Sequence, residues 1–299
     1  MARCGDGHDG GRLPRQRKIP HMSTREGPAI FCDLALSRRL ELTEGRSNAA
    51  FVETQARQDP ASGAAWTEVG GTLAMFSGVG SPLTQTFGLG VASALTDRDL
   101  DALESFFTSR GSDVIHEVSP LAGIEVFAKL AQRGYRPVEL SSVMFRPIGG
   151  GVEPLGVNPR IRVRVVTPEE AALYASVSAR GWSEAVEIQA FIAGFARTSV
   201  EYATCIVAEI DDAAIATAAL FAREGVGLLA GASTVPEGRR QGAQLALLDW
   251  RLRQLAAQGC DLAMICAAPG SPSQRNAERN GFRIAYTRTK WQLQRLATE

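Results

Sequence analysis

The sequence predicts an α/β protein, α+β by its element order, in which one structural unit occurs twice. Three observations carry this. From Ile161 onward the apolar pattern reads β-α-α-β-β-β-α-β-α-β. The first half repeats the latter part of that order. Finally, "RGYRPVELSSVMF" is echoed at a constant offset by "NGFRIAYTRTKWQ", with Gly134 over Gly281, Tyr135 over Phe282 and Arg136 over Arg283.

Each element has its own signal. In the first half, helical pattern within residues 29–58 precedes the strands "GTLAMFSG" and "LTQTFGLG". "TDRDLDALESFFTSRG" is a helix, with Thr96 as its N-cap and aspartates in its first turn. "DVIHEVSP" is a strand, "LAGIEVFAKLAQRG" a helix stopped by Gly134, and "YRPVELSSVMFR" a strand. "GGGVEPLGVNPR", residues 149–160, is the linker by its Gly and Pro content. The second half opens on the strand "IRVRVV". Thr167 and Pro168 then start a helix, and "SEAVEIQAFIAGFART" forms a second. Three strands follow, "ATCIVAEI", "AAIATAALFA" and "GVGLLAGASTV". Leu245, Leu248, Leu252 and Leu255 recur at helical spacing up to Gly259. "DLAMICAA" is a buried strand, "SPSQRNAERN" a short helix, and "FRIAYTRTKWQLQ" the closing strand. The domain expectation is a disordered tail over 1–22, then units at 23–148 and 161–299.

Composition narrows the function. Among 299 residues, 32 Lys and Arg balance 32 Asp and Glu, so the formal net charge is zero. Nucleic acid is not the expected partner, because phosphate binding favours a basic excess. No apolar run reaches the length of a membrane span, so no membrane partner is expected. Five cysteines without a CxxC pair and three histidines predict no metal site. Cys205 and Cys266 lie in apolar runs and read as buried thiols of a cytoplasmic protein. His116 reads as a core or edge histidine. Nothing sets the oligomeric state, monomer or homodimer.

The most informative stretch is "STVPEGRRQGAQLALLDWRLRQLAAQG", Ser233 to Gly259. A strand passes through a glycine-containing turn into a helix, whose first N–H groups and dipole favour an anion such as phosphate. Arg239 and Arg240 add charge there, and Gly242 permits close backbone approach. The Lys-Ser/Thr pair of a Walker A loop and the GxGxxG fingerprint are both missing. Between "TFGLG" and the next helix the first half offers only "VASALTDRD", where Asp97 and Asp99 repel an anion.

"VPEGRRQGAQLALL" resembles the acetyl-CoA-binding motif Q/R-x-x-G-x-G/A of GNAT-fold (GCN5-related) N-acetyltransferases, with Arg239, Gly242 and Gln244 at its named positions. "SPSQRNAERNGFRIAYTRTKW" resembles the next motif of that family. The resemblance covers Ile161 to Leu293 well and the first half as a degenerate copy. It implies tandem acyl-CoA N-acyltransferase folds, each a mixed, mostly antiparallel twisted sheet flanked by helices. It also implies an acetyl-CoA-dependent transfer to a primary amine of a small molecule or amino acid-like acceptor by direct attack. Ser233, Thr234 and Val235 would hold the pantetheine arm and polarise the thioester. Arg239, Arg240, Gln241, Gly242, Ala243 and Gln244 would hold the pyrophosphate, and Asn276 would contact CoA.

Two departures qualify this. Gln244 stands where the family has a small residue, and Ala277 where it often has the tyrosine that protonates the leaving thiolate. Ser273, Tyr286 or water is then the candidate acid. Glu187, Glu201 and Glu209 are the candidate bases, and Trp182 and Glu187 candidate acceptor contacts. The second reading, favoured by Ala277 and Gln244, is a catalytically inactive CoA-binding sensor or partner module.

Overall fold

The computed structural model describes residues 30–149 and 154–294; the expected tail over 1–22 lies outside them. A compact unit begins at Cys32. The first half forms α1 (Leu34–Gln58), β1 (Ala65–Val69), β2 (Thr72–Phe76), β3 (Gln85–Phe87), α2 (Asp97–Thr108), β4 (Ile115–Val118), α3 (Ile124–Gln132) and β5 (Tyr135–Pro147). The second forms β6 (Arg162–Val165), α4 (Ala171–Arg180), α5 (Gln189–Ser199), β7 (Thr204–Ile210), β8 (Ala213–Arg223), β9 (Val226–Thr234), α6 (Ala243–Ala257), β10 (Leu262–Ala267), α7 (Pro272–Arg279) and β11 (Arg283–Leu293). From α1 and from α5 the same order follows, three strands, a helix, a strand, a helix and a strand.

The expected boundary falls between β5 and β6, with residues 154–160 in neither helix nor strand. The two halves nevertheless share one sheet. Its eleven strands run β1-β2-β3-β4-β11-β5-β10-β9-β8-β7-β6. The last strand of each half thus completes the sheet of the other. The echoed segments meet at the centre as β5 and β11, antiparallel from Tyr135↔Leu293 to Phe145↔Arg283. Most neighbours are antiparallel, whereas β3–β4 and β9–β10 are parallel. Strand β1, "AWTEV", is an addition to the sequence reading. Its Ala65, Trp66, Thr67 and Val69 are all half-buried, so no clear in–out alternation marks it.

Helix α1 is one element of 25 residues with a weakly amphipathic pattern. It is buried along several faces, which blurs the pattern. Asp33 caps it by accepting from the Leu36 amide at 2.8 Å. Leu36 and Leu40 pack on Val143, Phe145, Leu228 and Met264, while Phe51 and Val52 pack on Leu73, Met75 and Phe87. Phe51 also stacks on Phe195 of α5 at 5.0 Å. The first half therefore lies directly beside the second. On the opposite sheet face, Leu248, Leu252 and Leu255 of α6 join Ala277 and Phe282 in another apolar cluster. Among the described residues no helix is long and apolar enough to cross a membrane.

Of the two expected places, core or edge, His116 takes the core. It is fully buried between Thr86 Oγ1 at 2.8 Å and Tyr135 Oη at 3.1 Å. Burial pushes its pKa down to about 3. The unfolded chain, titrating near 6.5, binds this proton between those two values, whereas the folded chain does not. His116 therefore contributes stability above pH 6.5 that is lost as pH falls towards 3, on the order of 1.4 kcal/mol per pH unit in that window. Urea unfolding from pH 7 to pH 4 should show a shallower loss in His116→Gln than in the wild type. Parallel profiles would contradict the assignment.

Candidate active site

Strands β9 and β10 pair only over Val226↔Leu262, Gly227↔Ala263 and Leu228↔Met264, and then part. On its other edge β9 carries a bulge. Ala230 pairs with Ala219 and Ser233 with Thr217, so Gly231 and Ala232 together oppose Ala218. Gly231 makes this possible with φ +60°, where a side chain is disfavoured. A wedge thus opens between β9 and β10, and the bulge breaks the β8 ladder beside it.

The helix following β9 begins without a cap. Gly242 occupies the N-cap position at φ +93° and has no side chain to offer, and Arg240 is also left-handed at φ +61°. The first helix amide to find an acceptor is that of Ala246, on the Gly242 carbonyl at 3.1 Å. The amides before it face a cavity of ≈ 740 Å³ bordered by Ser233, Thr234, Arg240, Gly242, Ala243 and Gln244. Helix α2 occupies the same place in the element order and is closed. Thr96 accepts from the Asp99 amide, and Asp99 accepts from the Thr96 amide, at 3.2 and 3.0 Å. The two helix starts differ in whether an external anion has free donors to meet.

Arg239 is already engaged. It forms an ion pair with Glu184 and donates to Ser183 Oγ at 3.2 Å, which ties the segment after α4 to the loop. Arg240 is exposed on the cavity rim. Gln244 donates to Thr234 Oγ1 at 2.8 Å, so its side chain is held against the end of β9. Trp182, Gln244, Ala232 and Asn276 border both this cavity and a second one of ≈ 580 Å³. The second cavity continues along α6 beneath the wedge and includes Ser273 and Ala277. A third, of ≈ 250 Å³, lies against α1 and α5, bordered by Glu44, Ser47, Asn48 and Tyr202. It shares Phe195, Ala230, Gly231 and Cys266 with the second. Together the three make a passage from the α6 N-terminus, through the wedge, to α1.

Several expected site residues sit elsewhere. Val235 is buried in the core, with its amide on the Ile215 carbonyl at 3.0 Å. Gln241 turns its side chain to the Glu237 carbonyl at 2.9 Å. The Ser233 hydroxyl points inward to Thr217 and Ser178, which leaves its backbone to the cavity. Tyr286 is buried beneath α1 and donates to Glu41 at 2.8 Å; it borders none of the three cavities, so the structure separates it from the proposed acid role. Glu187 is exposed and borders none of them either. Glu201 pairs with Arg57 at 3.7 Å, and buried Glu209 is held by Arg162 and Arg164 at 2.8 Å each.

In their place the structure brings in Glu44, Tyr174 and Arg251. The Glu44 carboxylate receives both Nη atoms of Arg288, at 2.7 and 3.0 Å, and the Cys266 thiol at 3.1 Å. Burial works to raise its pKa, but the Arg288 guanidinium outweighs burial and holds it below the ordinary value. Cys266 itself is pushed well up, first by burial and then by Glu44, so it stays a thiol. Tyr174 is buried on α4, and Arg251 is buried on α6. Sequence signals for these were faint. Glu44 stands 222 residues from its thiol partner, and Arg251 lies among the arginines of "DWRLRQ" with nothing to mark it as the inward one.

A sheet wedge thus lies beside an uncapped helix N-terminus whose amides border an elongated cleft. Solved structures share the fold. A GCN5-related N-acetyltransferase from Kribbella flavida aligns with a TM-score of 0.58 at 17% identity, over 85% of this chain and 96% of its own. A DUF2156 domain from Agrobacterium fabrum aligns with a TM-score of 0.51 at 12% identity, over 88% of this chain and 93% of its own. No protein-family model matches the sequence, and no curated protein matches it. The chain has the fold of the GCN5-related N-acetyltransferases.

Proposed function

We propose that the protein is an acetyl-CoA-dependent N-acetyltransferase acting on a primary amine of a small molecule or amino acid-like acceptor. The observation that carries this reading is the uncapped start of α6, at Arg240 to Leu245, set directly beside the β9 bulge and the β9–β10 wedge. The free amides and Arg240 suit a pyrophosphate, and the ≈ 740 Å³ cavity has room for it. When bound, acetyl-CoA supplies an activated acyl carbon. The chain's own part is to orient and polarise. Backbone N–H groups of β9 beside the wedge would polarise the thioester oxygen, which gathers charge as nitrogen attacks. The new C–N bond forms as the C–S bond breaks, and sulfur leaves with the electron pair. Nitrogen gives up a proton, and sulfur takes one.

The third cavity suits the amine, because Glu44 and polar Ser47 and Asn48 of α1 border it. With its low pKa, Glu44 is suited to attract an ammonium group rather than to take its proton. Proton uptake by sulfur falls to Ser273 or water, since Ala277 offers no donor. A thiol pKa near 8.5 makes that exit tolerable. The first half, whose helix start is closed by Thr96 and Asp99, supplies an acceptor wall rather than a second CoA site.

Ala277 also favours a second reading, a CoA-binding module without turnover. The deciding measurement is thiol release from acetyl-CoA by the full chain across a panel of primary amines. Release above the no-enzyme rate supports transfer. Saturable CoA binding at one site per chain with no release from any amine selects the binding module.

A further inference from the structure

Arg251 is 3% exposed and borders the second cavity from α6. Its Nε donates to the Leu247 carbonyl at 3.2 Å and Nη1 to the Ala219 carbonyl at 3.3 Å. Those two bonds leave most of its five N–H donors uncommitted. Among the described residues no carboxylate pairs with it, the one ionisable group that acts on it being the Tyr174 phenol, and no Asp or Glu borders the second cavity. Burying a cation without a counter-charge is costly, and most buried arginines are paired for that reason. Much of the surrounding wall is apolar, with Phe191, Phe195, Leu229 and Leu248 around the same space, and the polar groups that join them, Tyr174 among them, carry no carboxylate. Burial lowers the arginine to about 10, which keeps it charged at neutral pH.

Its position gives the charge a use. Gln244, Leu248 and Arg251 are spaced i, i+4 and i+7 on one face of α6, and all three border the cavity. At 1.5 Å per residue, Arg251 lies about 10 Å deeper than Gln244, which stands at the mouth. The cavity passes the wedge with a buried cation in its wall.

We propose that this cavity recognises a carboxylate on Arg251, so that one of the two reacting partners is an anion at its far end. This rests on the acyl-transfer reading of the cleft for its setting, but the anion site itself does not need turnover. The carboxylate has two sources, the distal end of a dicarboxylic acyl group or the α-carboxylate of an amino acid acceptor.

Calorimetry on the full chain separates them. One arm compares succinyl-CoA with butyryl-CoA. The other compares L-leucine with 3-methylbutylamine, which differs by loss of the carboxylate, with and without CoA present. We expect at least a tenfold preference for the carboxylate-bearing ligand in one arm, and loss of that preference in Arg251→Met while affinity for CoA itself is unchanged. A preference in the first arm assigns the carboxylate to the acyl donor, and one in the second assigns it to the acceptor. No preference in either arm with the wild type overturns the proposal, as does a preference that survives in Arg251→Met. If that variant does not fold, the wild-type comparison decides. L-Leucine binding in a chain that binds no CoA would sink the acyltransferase reading and leave the anion site standing.

Discussion

Gly242→Asp is expected to abolish CoA binding while the protein still folds. The substituted carboxylate would stand at the N-cap of α6 and accept the free amides itself, as Ser, Asp and Asn caps do. It would also place a negative charge where pyrophosphate is expected. Space is not the obstacle, because a Cβ at Gly242 meets its nearest neighbour, Asn158 Cβ, at 3.6 Å. The strain of φ +93° for a non-glycine residue costs of order 1–3 kcal/mol, which the new cap offsets by about 1 kcal/mol. The readout is thermal stabilisation by CoA. Wild type should gain several degrees at saturating ligand, and the variant none. A variant that keeps the wild-type gain would remove the α6 start from the binding site.

The second large effect concerns stability. Arg288 is 3% exposed and lies among three carboxylates, Glu41, Glu44 and Glu117, at 3.6, 2.7 and 3.0 Å. Burial raises the pKa of Glu41 against the pull of Arg288, and its Oε2 has no hydrogen-bond partner. Arg288→Met removes the cation and leaves these carboxylates facing one another. Breaking a buried pair this way costs about 3–5 kcal/mol. The pH dependence identifies the cause. In the variant the folded-state carboxylate pKa values should rise above their unfolded values, so the native state binds more protons and stability increases as pH falls through that raised range. Denaturant unfolding at pH 5 and pH 8 tests this. A deficit in the variant that is equal at both pH values would point to lost packing instead of charge.

These two predictions also mark what could be read from the sequence. The cradle was legible because it is local. "TVPEGRRQGAQ" places a strand end, a turn and a helix start within eleven residues, and the electrostatics of a helix terminus follow from the backbone alone. The contrast with "ALTDRD" was legible for the same reason, and the Thr96 and Asp99 cap has the expected form. So was the repeat, whose echoed strands pair with each other at the centre of the sheet.

Strand exchange was not legible, because pairing partners are chosen by packing across more than a hundred residues of chain, as between Leu262 and Pro147 or Leu293 and Tyr135. β11 joins β4 and β5 while β5 joins β10, and nothing in the period-two pattern of a strand names its neighbour. The carboxylate that borders the passage was missed with it. Glu187, Glu201 and Glu209 are close to the cradle along the chain, but exposure or ion pairs keep them out of the passage. Glu44 reaches it because α1 packs beside α5 and Arg288 arrives on the exchanged strand. Tyr286 shows the reverse. A candidate acid by the sequence reading, it is turned by the sheet beneath α1 onto Glu41. By itself, then, the sequence determined the repeated α/β unit and the uncapped helix start, because both depend on near neighbours and backbone chemistry. Only the tertiary structure decided which carboxylate and which arginine face the passage, because a buried charge is placed by the elements that close over it.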